Sequence, residues 1–259
     1  MTASPALLDT TALEEKVKAM YRSVAEEPDG EFHFEMGRAL AERLGYARAD
    51  LDAVPADAVR SFAGVGHYFD LATIRPGESV VDFGSGSGMD SFIAARGVGP
   101  GGRVIGIDMT DAQLAKSERL RAALGWANVS FRKAYIEDTG LEAASYDVVI
   151  SNGVINLAPD KGAVFREAAR ILKPGGRLAL ADIVTERQLP EGISCDATLW
   201  AACIGGAAQV DAYVAAIESA GLRMVHCRDN PEYQFISNNA LNASAKYGVK
   251  SISLLAIKS

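Results

Sequence analysis

Two periodicities divide the chain. Up to about residue 75 the apolar positions recur at helical spacing and no strand pattern appears. Residues 11–25 (TALEEKVKAMYRSVA) predict a helix, with Thr11 as its cap and Glu14 completing a capping box. Pro28-Asp29-Gly30 breaks it. Further helices are expected over 34–44 and 56–70, so residues 1–75 read as a helical cap or lid.

From residue 76 short apolar runs alternate with helical stretches. GESVVDFG (77–84), RVIGID (103–108), VSFRKAY (129–135), YDVVISN (146–152) and RLALADIV (177–184) are strand-like. Helical patterns lie between them at 88–97, 111–124 and 160–172. This alternation predicts βαβ units and a mostly parallel sheet over 76–184. Lys173-Pro174-Gly175-Gly176 is expected to stop a helix and feed the next strand. Residues 185–259 complete the same fold, with helices at 196–206 and 209–220 and strands at 224–230 and 251–259. The Asn- and Ser-rich segment before the last strand is expected as a loop over the site.

Composition narrows the function class. Hydrophobic residues are 49% and charged residues 23%, which is globular. A net charge of -7 disfavours a nucleic-acid partner. The N-terminus lacks the basic-then-apolar pattern of a signal peptide, and no apolar run is long enough to span a bilayer. Three cysteines (Cys195, Cys203, Cys227) form no disulfide framework and fit a reducing cytoplasm. No metal site is expected, and the oligomeric state is open.

The main chemical signal is Gly84-Ser85-Gly86-Ser87-Gly88 between a strand and a helix. Glycines let the backbone turn sharply and approach a ligand. The helix start behind them presents N–H groups to a polar or negative group. The spacing is G-x-G-x-G, and Met89 stands where a dinucleotide loop needs its third glycine, which weakens a nicotinamide reading. The loop, with Asp82 before it, resembles the nucleoside-binding loop of class I methyltransferases. Asp108, closing the second strand, can accept from both hydroxyls of a ribose. On that resemblance Met109, Ile136 and Glu137 would flank an adenine, and Asn152 would face the methionine half of S-adenosylmethionine.

A larger set of segments resembles the arsenite methyltransferase family: SFAGVG (61–66), PGESVVDFGSGSGMDSFIAA (76–95), GRVIGIDMT (102–110), SNGVINLAPDK (151–161), VFREAARILKPGGRL (164–178) and CIGGA (203–207). The resemblance implies a Rossmann-like, doubly wound α/β fold with a seven-stranded sheet whose last strand is antiparallel. It also implies methyl transfer from S-adenosylmethionine to a small-molecule acceptor. Family members that bind arsenic hold it with three thiols. Here two of those positions are Val65 and Gly153, and only Cys203 matches. Cys195 could supply a second thiol only if the chain folds back, because on one continuous helix it would lie about 12 Å from Cys203.

Two acceptor classes therefore stay open. One is arsenite, held by Cys203 with Cys195 as the candidate second thiol. The other is an organic molecule in the space the missing thiols vacate, lined by His67, Tyr68, Phe69 and Trp200, with His67 as the base. A non-catalytic S-adenosylmethionine-binding module is a third reading from another class.

Overall fold

The computed structural model describes residues 9–190, Ile193, Trp200 and residues 204–259. Strands β1 (Ser79–Phe83), β2 (Arg103–Asp108), β3 (Val129–Lys133), β4 (Tyr146–Asn152), β5 (Leu172–Thr185), β7 (Leu222–Asp229) and β8 (Lys250–Lys258) form one sheet. Their order is β3-β2-β1-β4-β5-β8-β7. A two-residue strand, β6 (Ala208–Gln209), adds to β5. The strands from β3 to β5 pair in parallel, and β8 runs antiparallel to both β5 and β7. The expected seven strands with an antiparallel last one are thus present, with the short β6 as an eighth.

The central strands are apolar on both faces because helices cover both. Val80, Val104 and Val148 point into one core, and Val81, Ile107 and Val149 into the other. Helices α6 (Met89–Val98) and α7 (Asp111–Ala123) cover the first face. Helices α8 (Lys161–Ile171) and α9 (Val210–Ser219) cover the second, where Phe165 meets Tyr213 edge-on at 5.1 Å. The strand order reverses at β1, which opens a crevice beyond the carboxyl ends of β1 and β4.

The N-terminal region comprises α1 (Thr10–Glu26), α2 (Gly37–Leu44), α3 (Arg48–Asp52), α4 (Ala56–Arg60) and α5 (Phe69–Ala72). Leu13, Val17, Leu40 and Leu51 pack in the same core as Val80 and Phe92, so this cap is continuous with the sheet.

Four expectations need correction. The cap of α1 is Asp9, whose carboxylate accepts from Thr11 and Ala12 N–H; Glu14 instead pairs with Lys18. The helix expected over 56–70 is two short ones, interrupted by the loop that carries Gly64 and Gly66. A Cβ on Gly64 would strike Asn152 at 2.6 Å, so this loop packs too closely for a continuing helix. The Lys173–Gly176 turn lies inside β5 as a bulge, because Tyr146 pairs with Leu172 and Val148 already with Arg177. The Asn- and Ser-rich segment is a helix, α10 (Asn238–Tyr247), capped by Ser237 and closed by Gly248 at φ +66°. Its polar residues face out while Ala240 and Ala243 are buried, and none of them reaches the crevice. Among the described residues no helix is long and apolar enough to cross a membrane.

Candidate active site

The crevice holds a cavity of about 450 Å³. Its floor is the glycine loop. Gly84, Gly86 and Gly88 have φ of +72°, +52° and +94°, a backbone path that side-chain-bearing residues rarely adopt. A Cβ on Gly84 would also lie 2.6 Å from Val154, and one on Gly88 2.7 Å from Phe131. Gly84 and Ser85 N–H donate to Ile107 O, which docks the loop on β2. Gly88 caps α6 without any side-chain cap, leaving the helix start directed at the loop.

Asp108 stands at the carboxyl end of β2. Its oxygens accept from Gly86 N–H at 2.9 Å and Thr110 N–H at 2.8 Å, which fixes the carboxylate while leaving lone pairs for a ligand. Burial raises its pKa, against the pull of those N–H donors. Met109 and Ile136 supply apolar wall beside it, and burial raises Glu137 as well. Asp82 is 2% exposed, accepts from Ser91 Oγ at 2.6 Å, and has its pKa pushed up to about 8 by burial and by the neighbouring Asp90.

All ten residues expected to contact a cofactor (Asp82, Gly84, Ser85, Gly86, Gly88, Asp108, Met109, Ile136, Glu137 and Asn152) are brought to this one wall. Asn152 faces the cavity but is committed to the protein. Its Oδ1 accepts from Val65 and Gly66 N–H, and its Nδ2 donates to Tyr46 OH, Gly66 O and Asp90. It therefore fixes the 64–66 loop against β4.

Helix α1 forms the roof through Thr11, Glu14, Val17 and Tyr21. It is pinned there by Tyr135 OH donating to Glu14 at 2.6 Å and by Gln113 Nε2 donating to Tyr21 O at 2.8 Å.

His67 is not on the wall. Its ring packs edge-on against Tyr46 at 4.8 Å, and Asp70 lies 3.5 Å from Nδ1. Burial lowers its pKa, with Asp70 opposing. Tyr68 and Phe69 also lie off the wall, Tyr68 OH donating to Asp90 at 2.7 Å. Trp200 is buried beneath Lys161 Nζ, 4.8 Å from the ring centre. None of these four side chains lines the cavity, whose wall beyond the glycine loop includes Gly64, Gly153, Val154 and Leu157. Nor is the space of the missing thiols open, since Val65 is 2% exposed and packs against Gly153. Cys195 and Cys203 lie outside the described residues. Cys227 is exposed on β7.

Sequence reasoning missed the buried cluster behind the floor. Asp90, 5% exposed, accepts from Tyr46, Tyr68 and Asn152. An acidic residue in the first turn of the helix that follows a glycine loop is the signal that points to it.

The cavity chemistry fits S-adenosylmethionine. Ser85 lines the cavity, and its buried Oγ has no hydrogen-bond partner among the described residues. The glycine loop lines the cavity on a positive-φ path, and Asp108 offers a carboxylate suited to a diol.

Comparison with known proteins agrees. The methyltransferase domain family model matches residues 74–221. An arsenite methyltransferase of Halobacterium salinarum is 40% identical over 199 residues, 76% of this chain and 51% of that protein. One of Aquipseudomonas alcaligenes is 46% identical over 151 residues, 54% of this chain and 44% of that protein. The chain thus spans about half the length of these curated relatives. The crystal structure of an arsenic(III) S-adenosylmethionine methyltransferase from Chlamydomonas reinhardtii superposes with a TM-score of 0.68 at 32% identity, covering 86% of this chain and 74% of that one.

Proposed function

The chain belongs to the S-adenosylmethionine-dependent methyltransferases, arsenite methyltransferase-like in sequence, and from that premise we propose that it transfers a methyl group to a small-molecule acceptor. The observation that carries this reading is the roofed cavity in which the glycine loop and Asp108 face α1.

Bound S-adenosylmethionine supplies a methyl already activated by a sulfonium, so the protein's work is placement and exclusion of water. Asp108, held by Gly86 and Thr110 N–H, would accept from the ribose hydroxyls. Met109 and Ile136 would supply apolar wall for the base, with Glu137 beside them. The Gly84–Gly88 backbone would support the amino-acid end, beside the unpartnered Ser85 Oγ. Asn152 acts through the loop it holds. Gly64, Gly153 and Leu157 form the wall open to an acceptor. His67, off the wall, is not assigned a base role. Among the described residues the wall carries no histidine, which suits acceptors that need little proton transfer.

Arsenite is the second acceptor, favoured by similarity to proteins named arsenite methyltransferase and opposed by Val65 and Gly153 at two thiol positions. Cys203 and Cys195 are the thiols it would need.

Titration calorimetry with S-adenosylmethionine tests the first step, and saturable one-site binding is expected. Transfer of labelled methyl to arsenite with added thiol, against a panel of organic acceptors, tests the second. A protein that binds no S-adenosylmethionine would overturn the proposal.

A further inference from the structure

Five acidic residues border the cavity: Glu14, Asp82, Asp108 and Glu137 on its wall and Asp90 behind its floor. Among the described residues the wall carries no Lys, Arg or His. Residues 1–8 and 191–203 contain no Lys, Arg or His either.

Three lysines lie near the cavity, and each is turned to protein acceptors. Lys18 pairs with Glu14. Lys116 donates to Ser61 Oγ at 2.7 Å and Ala25 O at 3.0 Å, behind the wall. Lys161 donates to Asn156 O and Ala158 O and sits over Trp200. A positive feature that does face the cavity is the uncapped start of α6, which lies under the glycine loop on the cofactor side.

We infer that the acceptor class of this site excludes anions: the methyl acceptor enters as a neutral or cationic molecule, without a phosphate or carboxylate. The inference rests on the methyltransferase reading and narrows its substrate. A phosphate or carboxylate taken out of water needs a cation or several donors to replace its hydration, and an unpaired buried charge is strongly disfavoured. Here such a group would meet apolar wall at Leu157 and Val154 and carboxyl groups on the opposite side. The same wall suits the positive sulfonium of the cofactor. Asp82 keeps its proton until about pH 8, so near neutrality the field comes from the other carboxylates, and a cleft lined by one sign of charge focuses it inward and raises the local concentration of the opposite sign. The acid-rich wall thus sorts ligands before any specific contact forms.

Two wall positions allow a direct test. Val154→Cys and, independently, Ala63→Cys each place a thiol on the cavity surface. Each variant is treated with methanethiosulfonates of similar size carrying either a trimethylammonium or a sulfonate. Peptide mass spectrometry separates the new thiol from the native ones, and rates are divided by those of a free thiol. The cationic reagent should react about tenfold faster, with the ratio shrinking as salt is raised. A normalised ratio of about three or less at both positions overturns the inference. Methylation of an anionic acceptor with kcat/KM equal to or above that of its neutral analogue also overturns it. Calorimetry on the same preparations keeps the two proposals apart: absent S-adenosylmethionine binding removes the methyltransferase reading, whatever the reagent ratio.

Discussion

Val65 closes over Gly153: a Cβ built on Gly153 would lie 3.1 Å from Val65 Cγ1 and 3.5 Å from Cγ2. The positions at which the arsenite methyltransferase resemblance implies two thiols are therefore neighbours, and in this chain one side chain occupies the space between them. Gly153 also has φ +71°, so any substitution there is strained as well as crowded.

Gly153→Cys alone should destabilise the protein by about 2 kcal/mol, from backbone strain and the Val65 contact. Val65→Cys removes the Cγ contact and creates a small defect of its own. The double variant should then be more stable than the sum of the two losses, by about 1 kcal/mol. Urea unfolding of the four proteins measures this, and strict additivity would show that the contact carries no energy.

Asp108→Asn should weaken S-adenosylmethionine binding by about ten- to a hundredfold, the usual cost of a charged hydrogen-bond acceptor. One amide NH₂ would also face either the Gly86 or the Thr110 N–H, so the loop loses a bond with it. Calorimetric affinity checks the first effect and unfolding the second. An unchanged Kd would remove Asp108 from the binding machinery.

What could be read from the sequence and what could not follows from the range of the interactions. The β1–loop–α6 unit and Asp108 are local patterns, in which strand period, glycine spacing and helix start lie side by side. Their meeting on one wall with Ile136 and Glu137 follows from parallel order, since each lies at or just beyond the carboxyl end of a strand. The Tyr46–Asp90–Asn152 cluster joins residues 44 and 106 apart, and no spacing rule reaches that far. His67, the base expected in the space of the missing thiols, instead sends its ring to Tyr46. Asp9 and Thr11 are both good caps, and the Thr-x-x-Glu spacing pointed to the wrong one because Glu14 is engaged by Lys18 and Tyr135.

Tyr46→Phe should cost about 1–3 kcal/mol of stability, because it removes a buried donor to Asp90 and the acceptor of one Asn152 N–H. Tyr68→Phe should cost a similar amount through its 2.7 Å bond to the same carboxylate. In combination the loss should exceed the sum, since Asp90 would keep only Asn152 as a side-chain donor. Urea unfolding of the single and double variants checks this. Losses below about 0.5 kcal/mol for both singles would mean that Asp90 is already satisfied without them.

Stability and cofactor affinity should move in opposite directions with pH. Asp82 has a folded pKa of about 8, far above its ordinary carboxylate value, because it is buried beside Asp90. Between pH 4 and 8 the folded protein therefore holds a proton that the unfolded chain has released. Its stability should fall as pH rises through that window, and Asp182, raised to about 6 by burial, adds to the fall over the lower half. Lys161, lowered to about 8 by burial, acts only above that window. A cationic ligand favours the ionised form of Asp82, so S-adenosylmethionine should bind more tightly toward pH 8 and release a fraction of a proton on binding near neutrality. Calorimetry in buffers of different ionisation enthalpy measures that release, and urea unfolding across pH 5–8 measures the slope. Asp82→Asn should flatten the slope and abolish the release. A wild-type slope already flat across this range, or proton uptake on binding, would contradict the assignment of that proton to Asp82.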